Sequence, residues 1–309
     1  MLDKLDYILA LAQERHFGRA AEACGVTQPT LSAGIKQLEE QMGVLLVNRG
    51  SRFRGFTVEG ERMLDWARRI VGDTRAMREE IVSLRHGLSG RLRIAAIPTA
   101  LAMIAALTTP YRERHPNVQF TVYSRTSVEI LDLLENLEVD AGITYVENEP
   151  VGRVGTVPLY HERYRLLTSA DAPLGDRDTV TWAEVAQVPL CLLTPDMQNR
   201  RIIDRLLKST GADSRPTLES DSMILLYSHV RTGRWASIMP AKLAETLGLT
   251  ETIRAIPITE PDAVQTIGLV VPARAQMTTL TAALVEEAKR FAPDLEQLDA
   301  ATGQRSPLR

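Results

Sequence analysis

A chain of 309 residues with 44% hydrophobic and 24% charged side chains suggests two or three soluble globular folding units. The start MLDKLDYIL has no signal-peptide pattern, and two cysteines, Cys24 and Cys191, fit the reducing cytoplasm. A net charge of −3 argues for no partner by itself, and the five histidines, His16, His86, His115, His161 and His229, lack metal-ligand spacing, so no metal or other cofactor is expected.

The first informative segment is Arg19 to Glu39, RAAEACGVTQPTLSAGIKQLE. It reads as two short helices joined by a tight turn. Gly25 suits a left-handed helix stop, Thr27 an N-cap, and Pro29 the first turn of the next helix. Leu31, Ile35 and Leu38 recur at helical spacing and face inward. Gln28, Thr30, Ser32 and Lys36 are left outward near a helix N-terminus. An amide for adenine, hydroxyls for bases or phosphates and a lysine for the backbone are what a recognition helix needs in the major groove. The bland alternative is a helical hairpin with a solvated face.

The next stretch, GVLLVNRGSRFRGFTVEG, places Arg49, Arg52 and Arg54 among turn residues before Phe56-Thr57-Val58 resumes β character. That suits a small β-wing carrying three cations to phosphates. Residues 1–58 hold seven Lys/Arg against six Asp/Glu, so only this local cluster is basic.

The ordered pattern ACGVTQPTLS, IKQLE, GV, NR and FTVEG resembles the N-terminal domain of LysR-type transcriptional regulators. The resemblance implies a winged helix-turn-helix domain, double-stranded promoter DNA as partner and no catalysis, with RNA polymerase as a further partner. Two departures stand out: Leu46-Val47 where the family often has Leu-Phe, and Gly34 where a long polar residue is common. Gly34 is expected to cost helix propensity and to remove one DNA contact.

A helical segment follows from about Glu59 to Leu88. Met63, Ala67, Ile70, Thr74, Met77, Ile81, Leu84 and Leu88 are spaced alternately four and three apart, a heptad seam rather than a broad globular face. Such a helix spans about 45 Å. The reading is a self-pairing linker helix giving a dimer, which fits two half-sites on DNA; the alternative is an amphipathic helix lying on its own domain. The resemblance adds a homotetramer. Gly87 to Gly90 then break the helix as a hinge.

From Arg91 strands alternate with helices: LRIAAI, VQFTVY, DAGITYV, PLCLLT, WASIMP and TIGLVV are strands, with helical runs between them and a closing helix, TTLTAALVEEAKRFA. The uncharged run Ile94–Tyr111 is broken by Pro98 and ended by Pro110, against a membrane span. The alternation predicts an α/β domain with parallel sheets and helices on both faces. No GxGxxG, Walker loop or GxSxG occurs. This part resembles the periplasmic-binding-protein-like effector domain of the same family, two Rossmann-like subdomains. The resemblance implies chain crossings near Tyr160–Tyr164 and Gln265–Leu269. The division is then 1–58, DNA-binding; 59–89, linker; and 90–309, effector-binding, with subdomain I about 90–162 and 267–309 and subdomain II about 163–266.

Ligands of open α/β sheets bind at the carboxyl ends of strands. Thr99, Thr126, Ser127, Thr144 and Thr194 occupy those ends, and Thr194 precedes Gln198, Asn199, Arg200 and Arg201. Each hydroxyl alone suits a helix cap. Together Thr99, Ser127, Thr144, Thr194 and Gln198 suit a small effector, with Arg200 or Arg201 as a bidentate clamp on a carboxylate or inorganic anion. Some members of the family sense peroxide through a cysteine in the loop after the PLCLLT-like strand; here that loop, TPDMQNRR, has none. Alternatives are an enzyme, or a solute-binding α/β domain, with an appended DNA-binding head.

Overall fold

The computed structural model describes residues 1–48, 53–147, 152, 154–211, 215–248, 252–273 and 277–303, with the side chains of 86 and 292–303 left aside. The chain forms two compact units, one built mainly from Met1–Ser89 and the other mainly from residue 90 onward.

The first unit holds α1 (Leu2–Glu14), α2 (Phe17–Ala23), α3 (Gln28–Met42) and α4 (Val58–His86). Leu5, Ile8 and Leu11 of α1 recur at helical spacing and bury against Ala20, Ala21, Leu31, Ile35 and Leu38. α2 stops at Cys24, Gly25 takes φ +66°, and Thr27 caps α3, its hydroxyl accepting from the Thr30 amide. Val47 bridges Phe56 antiparallel, forming the base of a wing. α1 extends the core beyond the predicted hairpin.

Along α4 the expected seam divides. Leu64 and Ala67 are buried in the unit's own core, with Met63 packed against it. Trp66, Ile70, Met77, Ile81 and Leu84 are exposed, from 38% at Ile70 to 81% at Leu84. The helix ends at His86, with Gly87 at φ +71°, so Leu88 lies beyond it. The free stripe therefore starts at Trp66 and Ile70, because the first turns are claimed by α1 and the wing base.

The second unit is built around one mixed sheet. Its strands are β1 (Gly90–Ala96), β2 (Val118–Ser124), β3 (Ala141–Tyr145), β4 (Val154–Ser169), β5 (Val180–Thr181), β8 (Ser237–Pro240), β9 (Ile253–Thr259) and β10 (Val264–Pro272), while β6 (Cys191–Leu193) and β7 (Leu218–Ser220) pair separately. The order is β2-β1-β3-β10-β4-β9-β5, with β8 on β4. Strands β2, β1 and β3 are parallel, but β10 runs antiparallel to both β3 and β4. The expectation of parallel sheets thus holds only within each half, because β4 and β10 carry the chain across. Their register pairs Tyr160 with Ile267 and Glu162 with Gln265, at the crossings the family resemblance implied.

Helices α5 (Ile104–Arg114), α6 (Ser127–Glu135), α7 (Trp182–Val185), α8 (Gln198–Ser209), α9 (Met223–Val230), α10 (Ala241–Thr246) and α11 (Thr279–Gly303) complete the unit. Around β6, a core of Leu167, Cys191, Leu193, Met223, Leu226 and Met239 supports the second half. No helix of the described residues is long and apolar enough to cross a membrane.

Candidate nucleic-acid interface and effector site

On α3, Gln28, Ser32 and Lys36 stand four residues apart and so share one face. Gln28 and Lys36 are exposed and Ser32 is half-buried. Lys36 lies 3.7 Å from Glu40, both largely exposed, a pairing worth little in water and easily exchanged for phosphate. Thr30 is exposed, but its hydroxyl lies 2.8 Å from that of Thr27, so it serves the cap. Arg54 is exposed beside the wing base. Arg49 and Arg52 lie outside the described residues.

Gly34 requires a correction. It is buried, and a Cβ there would lie 2.6 Å from Cδ2 of Tyr7 on α1. It faces the core, so it removes no DNA contact; it lets α1 and α3 approach.

Two supports of this surface escaped the sequence reading. Glu39 is 5% exposed, and its Oε1 accepts the amides of Leu46 and Val47 at 3.0 and 3.2 Å. The last residue of IKQLE therefore clips the wing's entry strand to the recognition helix. His16 Nδ1 accepts the Gly18 and Arg19 amides, capping α2. The Glu39 clip could have been suspected from an acidic residue among the inward positions of α3.

At the carboxyl ends of β1, β2 and β3, three hydroxyls are drawn into the interior. Thr99 follows β1 in a 3-10 turn, Ser127 opens α6 after β2, and Thr144 lies in β3; they are 2%, 6% and 1% exposed. None of their oxygens has a hydrogen-bond partner among the described residues. The cap of α6 is instead Thr126, which accepts from the Glu129 amide while Glu129 accepts from the Thr126 amide. Capping therefore accounts for Thr126 and not for Ser127. A buried hydroxyl without a partner costs about 1–3 kcal/mol, which a bound polar molecule would offset.

From the other half, Thr194 is half-buried and its carbonyl accepts the Met197 amide. Met197 is the N-cap of α8 and its side chain makes no cap hydrogen bond. Gln198 Nε2 donates to the Glu147 carbonyl at 3.4 Å, and Asn199 Nδ2 to the Tyr145 hydroxyl at 2.9 Å. Arg200 is not a clamp. Its guanidinium donates to Asp204 and Glu219, both at 2.7 Å, and to the Leu193 carbonyl at 2.6 Å. It is 6% exposed and ties α8 to β6 and β7. Arg201 donates to the Asp196 carbonyl at 2.6 Å.

Cys191 is fully buried, with Sγ 3.5 Å from the Ala236 carbonyl, and burial pushes its thiol up to about 11. The reactive thiolate is thereby disfavoured. Among the described residues, no group of three or more His, Cys, Asp or Glu could hold a metal ion.

Residues 2–61 match the bacterial regulatory helix-turn-helix protein, lysR family, and residues 85–293 match the LysR substrate binding domain. The chain is 29% identical over 86% of its length to the DNA-binding transcriptional dual regulator OxyR of Escherichia coli, covering 87% of that protein. It is 26% identical over 88% of both chains to a probable nitrogen assimilation transcriptional activator of Synechococcus elongatus. A full-length OxyR variant from Pseudomonas aeruginosa superposes with a TM-score of 0.72 at 26% identity, covering 94% of each chain. CbnR in complex with its target DNA shares the fold, with a TM-score of 0.60 at 20% identity over 94% of this chain and all of that one. Matched in both its halves, the chain belongs to the LysR family of ligand-responsive, DNA-binding transcriptional regulators.

Proposed function

We propose that the protein reads promoter DNA through Gln28, Ser32 and Lys36 of α3, with Thr30 at its cap and Arg49, Arg52 and Arg54 of the wing on phosphate. Its response comes from a small polar effector held by Thr99, Ser127 and Thr144 on one wall and Thr194 and Gln198 on the other. The working division is 1–58 for DNA, 59–89 for the linker and 90–309 for the effector. The protein acts in the cytoplasm, and RNA polymerase is the partner that the bound promoter brings to it.

The observation that carries the effector reading is the trio of buried, unpartnered hydroxyls at three adjacent strand ends. Hydroxyl donors and the uncapped start of α8 favour a small carboxylate or inorganic anion. With Arg200 engaged elsewhere, no charge clamp is needed for this reading. Five of the relatives are hydrogen peroxide-inducible genes activators by name; the buried Cys191 supports no thiol switch here. Self-association is supported by the exposed apolar stripe of α4 and, for a tetramer, by exposed Val122, Val128, Ile224 and Leu225 on the second unit.

The test uses operator fragments selected from genomic DNA by the protein itself. Gln28→Ala should relax base preference by about 1–3 kcal/mol at one position, while Arg54→Ala should weaken all sequences alike and reduce the salt slope by about one. In parallel, a thermal-shift screen of small carboxylates and inorganic anions should raise the unfolding temperature of wild type and not of Thr99→Val, which keeps shape without the hydroxyl. Unchanged base preference in Gln28→Ala, or equal ligand shifts in Thr99→Val, would remove that residue from its site.

A further inference from the structure

Next to the proposed effector site runs a buried polar relay that joins its two walls. Tyr145, at the end of β3, donates its hydroxyl proton to Glu162 Oε1 at 2.6 Å and accepts from Asn199 Nδ2 at 2.9 Å. Tyr145, Glu162 and Asn199 are 1%, 2% and 4% exposed. Glu162 Oε2 has no hydrogen-bond partner among the described residues. The three relay residues sit on three different elements. β3 belongs to the first half of the sheet, α8 to the second, and β4 runs through both, pairing with β10 at one end and with β8 and β9 at the other.

The chemistry of a phenol gives this chain a direction. A tyrosine hydroxyl has one proton to give and lone pairs to accept with. With the carboxyl's own proton on Oε2, Glu162 still accepts the Tyr145 proton through Oε1, so the side of the phenol oxygen facing Asn199 accepts and the asparagine presents its amide nitrogen. Without Glu162, the hydroxyl could turn and donate to Asn199 Oδ1, and the first turn of α8 would lose its single orientation.

We propose that Tyr145 and Glu162 are positioning residues of the effector site: they hold the start of α8, with Gln198 and Asn199, in one orientation against the strand end that carries Thr144. This rests on the effector-site reading above. Cleft closure is then set by a fixed internal contact, and a ligand on both walls works with or against it. Neither residue touches the ligand in this scheme; they act through α8.

The experiment is hydrogen exchange of the native full-length chain, read at residues 201–206 of α8 and at 90–124. Tyr145→Phe and Glu162→Leu should each speed exchange at 201–206 about tenfold, the loss of roughly one buried hydrogen bond, and leave 90–124 as in wild type. Glu162→Gln should restore wild-type protection, since its amide oxygen still accepts from Tyr145; a mere packing role would not distinguish Gln from Leu in this way. Asn199→Ala should loosen the same segment, and adding it to Tyr145→Phe should bring no further change. Unchanged exchange in Tyr145→Phe, or additive effects of the Tyr145 and Asn199 changes, would overturn the proposal. Should Tyr145→Phe loosen the entire second unit, the single Asn199→Ala and the Glu162→Gln and Glu162→Leu pair decide: loosening by Asn199→Ala confined to 201–206, with only Gln rescuing, supports the relay, and any other pattern refutes it. Thr99→Val should leave exchange at 201–206 unchanged, so a failure of the effector site is separable from a failure of the relay.

Discussion

Replacing Glu162 by glutamine should change how stability depends on pH. Burial pushes the Glu162 carboxyl up from 4.5 to about 8, against the hydrogen bond from Tyr145, which pulls it down. The folded protein therefore holds a proton there that the unfolded chain releases above its ordinary carboxylate range. The stability this proton supports is fully present below pH 4.5 and is lost as pH rises through about 8. Each pKa unit is worth about 1.4 kcal/mol, so the group sets a slope of about that size per pH unit across this window. Between pH 5 and pH 8 wild type should lose on the order of 4 kcal/mol relative to Glu162→Gln, which keeps the acceptor but cannot ionise. Urea unfolding at half-unit pH steps measures this. Trp182, with its ring centroid 5.8 Å from that of Tyr164, supplies the fluorescence signal next to the site. Wild-type and variant profiles running parallel within about 1 kcal/mol would refute the argument, because Glu162 would then be ionised at neutral pH.

Four further outcomes follow from the same contacts. Ile70→Asp with Ile81→Asp, placed in the exposed stripe of α4, should lower the solution mass measured by light scattering; an unchanged mass would free this stripe of any role in assembly. Gly34→Gln should destabilise the first unit by about 1–3 kcal/mol through its clash with Tyr7; a tolerated substitution with tighter DNA binding would restore the view that this position faces DNA. Arg200→Ala should cost about 3 kcal/mol in urea unfolding by leaving Asp204 and Glu219 without their buried partner, the low end for such a loss because both carboxylates reach solvent; a purely ligand-affinity effect at wild-type stability would return it to the effector site. Cys191 should resist thiol alkylation in the native protein and react only on unfolding; rapid native labelling would reopen a redox role.

The DNA-reading unit was legible because its signals are local. Leu31, Ile35 and Leu38 mark the inner face of α3 within two turns, and the Gly25 stop and Thr27 cap lie a few residues away. By the same spacing Gly34, three after Leu31, belongs to that inner face, although it reads at first as a missing polar contact. The second unit was legible in its βα alternation, while its crossings came only from the family resemblance and not from the strand pattern. β4 passes through two cores, so Arg163 and Arg165 alternate with buried Glu162 and Tyr164 and blur the apolar pattern of a strand. β9 contains Pro257, which reads as a strand breaker yet lies opposite Arg165. Strand β5 is only two residues long, too short for any period to show. At the site, the hydroxyls at strand ends were visible as a pattern. Which of them are caps depends on Glu129 for Thr126, a local signal, whereas the fate of Arg200 depends on Glu219, whose proximity only the fold creates.

The antiparallel pairing of β10 with β3 also bears on how the chain is made. Ile267 lies opposite Tyr145, about 120 residues later in the sequence. At roughly 5–20 residues per second of synthesis, β3 emerges from the ribosome with an unpaired edge for several seconds or more before its neighbour exists. An open, apolar strand edge is a template for association with other chains. The nascent protein thus has a built-in interval in which β1, β2 and β3 are made but the sheet stays open at β3. A stop codon placed anywhere between β4 and β10 would make that interval permanent, so truncated products should accumulate as aggregates or be degraded rather than persist as a separate, folded half.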